Sequence, residues 1–315
     1  MPNSGSGSPH QPVLYQEVLR AIKPYSPGRY IDATVGAGGH SWGILNASAP
    51  AGTILGFDLD PVALGLAKEK LADFGSRFIL RQSSYIHLLD QMQSLGWESV
   101  QGVLLDLGVS SMQLDRPEKG FSFREEGPLD MRFDPNQPVT AADLVNELSP
   151  VALASLIWQY GEERQSRKIA NAIVANRPIH TTRQLAEVIS KAVRSKERSM
   201  HPATLTFQAL RIAVNHELEA VEKVLPDAVQ ALAPGGRLVV ISFHSLEDRL
   251  VKQFFQRESR DCICPPRQPV CTCGHKRSIN IVQRLYKPTA SEVDENIRAR
   301  SARLPQGTVP YPWVA

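Results

Sequence analysis

The chain has 315 residues, of which 42% are hydrophobic and 21% are charged, an ordinary composition for a globular protein of one large domain or two smaller ones. It contains no stretch of 18 consecutive apolar residues, so the sequence predicts no transmembrane helix. Residues 1–10 are rich in Gly, Ser and Pro and lack a hydrophobic signal core, which predicts a flexible tail on a cytoplasmic protein.

The net charge of +3 is divided unevenly along the chain. Residues 1–160 contain 11 basic and 17 acidic side chains, whereas residues 161–315 contain 24 basic and 15 acidic ones. Nine of the basic residues fall within one short region: Arg164, Arg167, Lys168, Arg177, Arg183, Lys191, Arg194, Lys196 and Arg198. Solvated helix surfaces would account for such charges, but their clustering favours a polyanionic partner, and we expect nucleic acid.

The first element is an apolar strand, 30–35, that runs into a turn with three glycines, Gly36, Gly38 and Gly39, followed by a helix-like segment. Glycines in such a turn allow positive φ angles and let a ligand approach the backbone closely. The next predicted strand, 53–58, ends in Asp58, where a carboxylate can accept hydrogen bonds from the ribose of a nucleoside cofactor. Strand, loop, helix, strand and acid in this order predict a nucleoside-cofactor site.

The loop favours S-adenosylmethionine over a dinucleotide. The sixth position of the dinucleotide fingerprint is Ser41 rather than glycine, and no phosphate loop with its lysine is present, which disfavours a nicotinamide-dependent oxidoreductase. The segment 233–241, in which Pro-Gly-Gly precedes an apolar strand, is common late in methyltransferase domains. Asp60 competes with Asp58 for the ribose, but its position before Pro61 suits a helix N-cap, so Asp58 is the preferred ligand.

The remaining elements predict an α/β domain interrupted by helices. Predicted strands are 30–35, 53–58, 78–82, 102–107, 237–243 and 279–286, and the first four alternate with helical segments such as 61–74 and 86–95. This alternation is typical of βαβ units and a parallel sheet. Every segment within residues 141–215 has a helical pattern, which predicts helices at 141–147, 151–160, 164–176, 182–194 and 204–215. A last helix, 218–232, contains Pro226, which predicts a kink or a restart.

Several motifs spread along the chain together indicate a family. They are residues 10–14 (HQPVL) with Glu17, 38–40 (GGH), 105–111 (LDLGVSS) with 113–115 (QLD), 120–123 (GFSF), 128–132 (PLDMR), 160–164 (YGEER), 201–204 (HPAT) and 241–249 (ISFHSLEDR). In these motifs the chain resembles the bacterial methyltransferases that methylate N4 of a cytosine in the decoding region of 16S ribosomal RNA. The resemblance covers nearly the whole chain.

This resemblance implies a fold, a division into domains and a partner. The fold is an α/β, Rossmann-like sheet of an S-adenosylmethionine-dependent methyltransferase with an inserted all-helical domain. Residues 1–10 would form the tail, 11–140 and 216–315 the discontinuous methyltransferase domain, and 141–215 the inserted substrate-binding domain. The expected partner is 16S ribosomal RNA within the small ribosomal subunit, with no membrane association. A non-catalytic RNA-binding assembly factor would share the basic insert but would not need the cofactor loop.

The resemblance also assigns the cofactor contacts. Gly38, Gly39 and His40 would line the methionine side of S-adenosylmethionine, and Asp58 would hold its ribose. The remaining assigned residues are Tyr85, which would stack on adenine, with Asp106 and Gln113 completing the set. Each has a structural alternative: His40 begins a helix, Tyr85 is a core aromatic, and Gln113 braces a loop. Asp106 follows a buried strand, where ligands of open sheets bind, so a purely structural role is least expected there.

The proton acceptor of the reaction is a weaker assignment. Amino-directed DNA methyltransferases carry an Asn/Asp/Ser-Pro-Pro-aromatic motif after the fourth strand, but residues 106–109 here are Asp-Leu-Gly-Val. Their mechanism therefore does not transfer residue by residue. Asp130 and His244 are candidates for helping the cytosine amine lose its proton. His244 also suits a helix cap before Ser245, and both interpretations stay open.

Four cysteines occur as two C-x-C pairs, Cys262 with Cys264 and Cys271 with Cys273, and His275 follows closely. Two pairs of soft ligands are compatible with zinc, although the usual spacing is C-x₂-C and prolines stiffen the intervening loop. A disulfide is disfavoured in a reducing cytoplasm. We expect reduced thiols in a surface loop and no metal.

Overall fold

The computed structural model describes residues 12–193 and 200–310. The predicted tail, residues 1–10, and three of the clustered cations, Arg194, Lys196 and Arg198, lie outside the described residues. The chain forms two compact units, one made of Met1–Leu107 with Ala220–Ala315 and the other of Gly108–Glu219. No helix in the described part of the chain is long and apolar enough to cross a membrane.

The first unit is built on a seven-stranded sheet. Its strands are β1 (Arg29–Asp32), β2 (Thr53–Asp58), β3 (Phe78–Gln82), β4 (Val100–Asp106), β5 (Leu232–Ile241), β6 (Asn280–Tyr286) and β7 (Leu304–Thr308). They lie in the order β3-β2-β1-β4-β5-β7-β6, and β7 pairs antiparallel with both of its neighbours. The strand order reverses between β1 and β4, and ligands of open α/β sheets bind beyond the carboxyl ends of strands at such a point.

The described residues form thirteen α-helices. They are α1 (Tyr15–Ile22), α2 (Gly39–Ala47), α3 (Pro61–Lys70), α4 (Leu88–Ser94), α5 (Ser111–Leu114), α6 (Ala141–Glu147), α7 (Pro150–Gly161), α8 (Ser166–Ala175), α9 (Thr182–Ala192), α10 (Thr204–Asn215), α11 (Glu217–Ala231), α12 (Ser245–Glu258) and α13 (Ala290–Glu295). Helix α11 continues through Pro226 as one helix, so the predicted restart there is wrong.

The central strands β2 and β4 are largely apolar because both faces of the sheet are covered. In β2, Ile54 belongs to one core cluster and Leu55 to another, and in β4 Leu104 faces one cluster and Leu105 the other. Adjacent strand residues point to opposite faces. A sheet with helices on both sides therefore reads as continuous apolar runs, which is why the predicted strands 53–58 and 78–82 have the observed bounds.

The second unit is helical, but it begins earlier than the predicted insert. Phe121, Leu129 and Met131 are buried in the same core as residues of α6 to α10. The side chain of Asn215 reinforces this packing, since it donates to the Met131 carbonyl at 2.7 Å and accepts from the Phe133 N–H at 2.8 Å. Residues 108–140 therefore pack with the helices, and the compact unit spans 108–219 rather than 141–215.

Candidate cofactor-binding site

The glycine loop joins β1 to α2 and has the backbone geometry that its sequence predicts. Gly36 and Gly38 have φ angles of 52° and 79°, and Gly38 is the N-cap of α2. A Cβ atom added to Gly36 would meet only the Thr34 carbonyl oxygen, 4.0 Å away, whereas one added to Gly39 would lie 2.4 Å from Pro12. The loop thus leaves room beside Gly36 and presents the free N–H groups of a helix N-terminus.

Asp58 connects the end of β2 to this loop. Its Oδ2 accepts a hydrogen bond from the Gly36 N–H at 2.9 Å, and its Oδ1 accepts from the Asp60 N–H at 2.9 Å. Each carboxylate oxygen can accept a second hydrogen bond, so both remain able to bind ribose hydroxyls. Burial is the main cause that raises the pKa of Asp58 to about 6.

Asp60 has the other role that its position predicts. Its side chain accepts a hydrogen bond from the Val62 N–H at 3.0 Å, and Pro61 occupies the first turn of α3. Asp60 is therefore the N-cap of that helix, and Asp58 is the carboxylate at the strand end.

Asp106 and His40 face each other at the end of β4. His40 Nε2 lies 3.6 Å from Asp106 Oδ2, and Asp106 Oδ1 is a buried atom with no hydrogen-bond partner among the described residues. Burial, then the charges of Asp32 and Glu247, raise the pKa of Asp106 well above its usual value. Burial lowers the pKa of His40 to about 4, so its imidazole is neutral at pH 7.

These groups form a cluster of acids that a cationic ligand suits. Asp32, Asp58 and Asp106 end β1, β2 and β4, and their raised pKa values show that the site stabilises their negative charges poorly. A ligand with a sulfonium and an ammonium group would supply positive charge there, and the ammonium N–H groups could donate to buried acceptors such as Asp106 Oδ1. A pyrophosphate would add to the repulsion. The residues present therefore fit S-adenosylmethionine.

Asp32 braces the loop, a role that the sequence pattern did not predict. Its carboxylate is buried and accepts hydrogen bonds from the Ser41 hydroxyl at 2.6 Å and from the Thr34 N–H at 3.2 Å. The Thr34 hydroxyl in turn accepts from the Asp106 N–H at 2.7 Å. One signal was present: an acid at the end of an otherwise apolar strand, directly before the glycines, rarely stays buried without a polar partner.

The positions of Tyr85 and Gln113 are also compatible with purely structural roles, as a core aromatic and as a residue that braces a loop. Tyr85 begins a 3₁₀ turn after β3 and packs, half-buried, against a core cluster of the first unit. Gln113 lies in the second unit, where its side-chain oxygen accepts from the Ser110 N–H at 3.0 Å and braces that loop. The structure thus brings Gly38, Gly39, His40, Asp58, Tyr85 and Asp106 into one compact unit, while the cofactor contact of Gln113 stays a prediction.

The two candidate proton acceptors both have local partners. Arg132 donates to both carboxylate oxygens of Asp130 at 2.8 Å. Burial alone would raise the pKa of Asp130, but these hydrogen bonds outweigh it and hold the pKa below its usual value. His244 is the N-cap of α12: its ring accepts from the Glu247 N–H at 3.4 Å, and its Nε2 lies 3.1 Å from Glu247 Oε1.

The sheet order, the glycine loop and the carboxylates at the strand ends define the class, an α/β methyltransferase with S-adenosylmethionine as its cofactor. The MraW methylase family model matches residues 7–306, and the chain belongs to this family.

Curated relatives resemble the chain along nearly its whole length. A protein of Dehalococcoides mccartyi is 51% identical over 297 residues, which cover 94% of this chain and 85% of that protein. A protein of Thermomicrobium roseum is 51% identical over 299 residues, covering 94% and 92%. One of Heliobacterium modesticaldum is 47% identical over 304 residues, covering 94% and 96%. All three are called ribosomal RNA small subunit methyltransferase H.

Proposed function

We propose that the protein transfers a methyl group from S-adenosylmethionine to N4 of a cytosine in the decoding region of 16S ribosomal RNA. The observation that carries the proposal is the near 50% identity, over 94% of the chain, to proteins named ribosomal RNA small subunit methyltransferase H. The choice of a cytosine N4 in the decoding region rests on the motif resemblance. Because the substrate would be ribosomal RNA, the protein would act in the cytoplasm.

A local group of exposed cations in the helical unit supports an RNA partner. Arg164, Arg167, Lys168 and Lys191 are exposed on or beside α8 and α9. Arg177 has a different role, since its guanidinium donates to the backbone carbonyls of Val145 and Leu148. The exposed cations suit phosphate contacts, which give affinity without reading sequence. Residues 108–219 are accordingly our proposed substrate-binding domain, and the discontinuous first unit the proposed catalytic domain.

The cofactor, when bound, supplies an electrophilic methyl group on sulfur. In the proposal the glycine loop and the N-terminus of α2 bind the methionine part, and Asp58 holds the ribose through charge-assisted hydrogen bonds. The neutral imidazole of His40 and the side chain of Asp106 line the buried end of the site. Orienting the cytosine amine for in-line attack accounts for much of the acceleration, because a fixed geometry removes the entropy cost of the encounter.

The proton that the amine loses needs no strong protein base in this proposal. Arg132 occupies both oxygens of Asp130 and lowers its basicity, while His244 and Glu247 cap α12. Once N4 has gained the methyl group it is cationic and strongly acidic, so water can accept its proton. We therefore propose that Asp130 and His244 act mainly by shaping their segments, a role that kinetics can separate from general-base catalysis.

Nucleoside analysis of the product tests the proposal. Small ribosomal subunits from cells that lack the protein are incubated with it and labelled S-adenosylmethionine, and the RNA is digested and separated by mass. We expect label in N4-methylcytidine, and much less label with short free RNA, because the target base must leave its stack and be presented. A methyl group on carbon 5, on a ribose oxygen or on protein would contradict the proposal, as would RNA binding without transfer.

A further inference from the structure

The cysteines lie in the segment that connects α12 to β6 in the first unit. The structure brings the four sulfur atoms of Cys262, Cys264, Cys271 and Cys273 within 4.8 Å of one another. The Sγ of Cys262 lies 3.5 Å from that of Cys271 and 3.8 Å from that of Cys273, and the Cys271 and Cys273 sulfurs are 3.6 Å apart.

These separations distinguish between the ways in which thiols cluster. A disulfide would need a sulfur–sulfur distance of about 2.05 Å. Four sulfurs bound about 2.3 Å from one zinc ion at tetrahedral angles lie roughly 3.8 Å from each other. The separations among the sulfurs of Cys262, Cys271 and Cys273 agree with the tetrahedral arrangement and not with a disulfide, and the Cys264 sulfur lies within 4.8 Å of each of them.

A turn between the two C-x-C pairs produces this convergence. The Gln268 N–H donates to the Pro265 carbonyl at 3.0 Å, and the Gln268 side chain donates to the Thr272 hydroxyl at 2.7 Å. These contacts fold the second pair back onto the first. The prolines between the pairs therefore do not keep the two C-x-C pairs apart.

Backbone amides around the sulfurs suit thiolates. The Cys264 N–H donates to Cys262 Sγ at 3.4 Å, and the N–H groups of Ile263 and His275 hydrogen bond to the Cys273 sulfur. Such outer-shell donors orient metal ligands and spread their charge. The ring of His275 is turned away from this role, since its Nε2 lies 3.1 Å from the Arg257 carbonyl, so the donor set consists of four sulfurs.

We propose that Cys262, Cys264, Cys271 and Cys273 form a tetrathiolate site for one zinc ion. Each thiol loses its proton to water on binding and each sulfur donates an electron pair to the metal, so no oxidation or reduction takes place. This proposal replaces the expectation of free thiols that the sequence alone suggested.

The site has a structural role because of its place in the fold. The cysteine segment precedes strand β6. The start of β6 pairs with Thr308 of β7, and Thr308 also pairs with Arg237 near the amino ends of the parallel strands. Asp58 and Asp106 lie at the carboxyl ends. Between Arg260 and Arg277, all of which the structure describes, no side chain is buried. A loop without a core needs another source of order, and a metal supplies it.

Metal analysis of the full-length protein tests the proposal. The protein is expressed with added zinc and purified with a reductant and without chelator. We expect about one zinc ion per chain, and replacement by cobalt should give the visible absorption of a tetrahedral thiolate complex. Cys262→Ser and Cys271→Ser should each weaken zinc binding by more than the roughly 10–100-fold that loss of an outer-shell partner costs.

His275→Ala is the matched control, because it keeps the backbone N–H to Cys273 and removes only a ring outside the donor set. It should retain zinc. Removing zinc from the wild type should make the 259–279 segment sensitive to protease while the affinity for S-adenosylmethionine stays unchanged. Four titratable thiols in protein that takes up no zinc, or a metal-free chain lighter by four hydrogens through disulfide formation, would overturn the proposal.

Discussion

Replacing Asp58 with alanine tests the cofactor site most directly. The carboxylate is held by the N–H groups of Gly36 and Asp60, both at 2.9 Å, so it is already oriented before a ligand binds. The substitution removes the expected acceptors for the ribose hydroxyls. It also removes the hydrogen bond between the Gly36 N–H and the end of β2.

The expected loss follows from the charge of the group. Hydrogen bonds to a charged partner contribute about 1.5–3 kcal/mol each in favourable cases, but the two backbone donors already engage part of that charge. We therefore expect Asp58→Ala to weaken S-adenosylmethionine binding by on the order of 1–3 kcal/mol, which corresponds to roughly 5- to 150-fold in the dissociation constant.

Calorimetric titration of the folded variant measures this loss, and two further variants control it. Asp58→Asn keeps the shape but removes the charge and turns an NH2 group toward one of the two backbone N–H donors, so it too should lose affinity. Asp60→Ala removes the cap of α3, which should cost about 0.5–2 kcal/mol of stability, but it should leave cofactor affinity near the wild-type value. Wild-type affinity in a folded Asp58→Ala protein would refute the assignment of Asp58 as the ribose ligand.

Four further outcomes are expected. Because the pKa of Asp58 is raised to about 6, acidification below pH 6 should protonate its carboxylate and weaken cofactor binding by up to about 10-fold per pH unit. Titrations at a series of pH values measure this dependence, which should be flatter in Asp58→Asn. Alanine at both Arg167 and Lys168 should lower the salt slope of RNA binding by about one for each phosphate that is no longer neutralised, without changing cofactor affinity; an unchanged slope would mark them as solvated surface. His244→Asn keeps a capping side chain, so single-turnover kinetics should show far less than the roughly 10²–10⁴-fold loss typical of a missing general base. Phe121→Ala should destabilise the helical unit by about 3–5 kcal/mol in denaturant unfolding, and an effect below about 1 kcal/mol would place that segment outside the helical core.

A related prediction concerns three residues of the basic cluster that lie outside the described part of the chain. Replacing Arg194, Lys196 and Arg198 together by alanine should weaken RNA binding, flatten its salt dependence and leave cofactor binding intact. Filter binding at several salt concentrations measures this, with calorimetry of the cofactor as the control. Full activity with an unchanged salt slope would show that these side chains do not contact phosphate.

Elements whose signals are local can be predicted from the amino-acid sequence alone. The apolar run of β2 predicts a strand because both faces of the sheet are buried there, and the glycine pattern predicts a turn with positive φ at Gly36 and Gly38. The place of Asp58 at a strand end predicts a carboxylate at the ligand-binding edge of the sheet in the same way. Capping residues such as Asp60 act within the first turn of their helix, so their roles can be predicted without knowledge of tertiary contacts.

Features that depend on residues far apart in the chain became visible only in the folded molecule. Strand β7 contains Pro305 and Gly307, which locally disfavour a strand, yet it pairs on both sides, and a shift in register occurs where Pro305 lies. The boundary of the helical unit moved to residue 108 because Phe121, Leu129 and Met131 are buried by distant helices. The four cysteine sulfurs lie close together because of a turn that the spacing of the cysteines along the chain did not predict. Local pattern specifies which conformation a segment prefers, whereas the partner that buries or binds it is chosen by the whole chain.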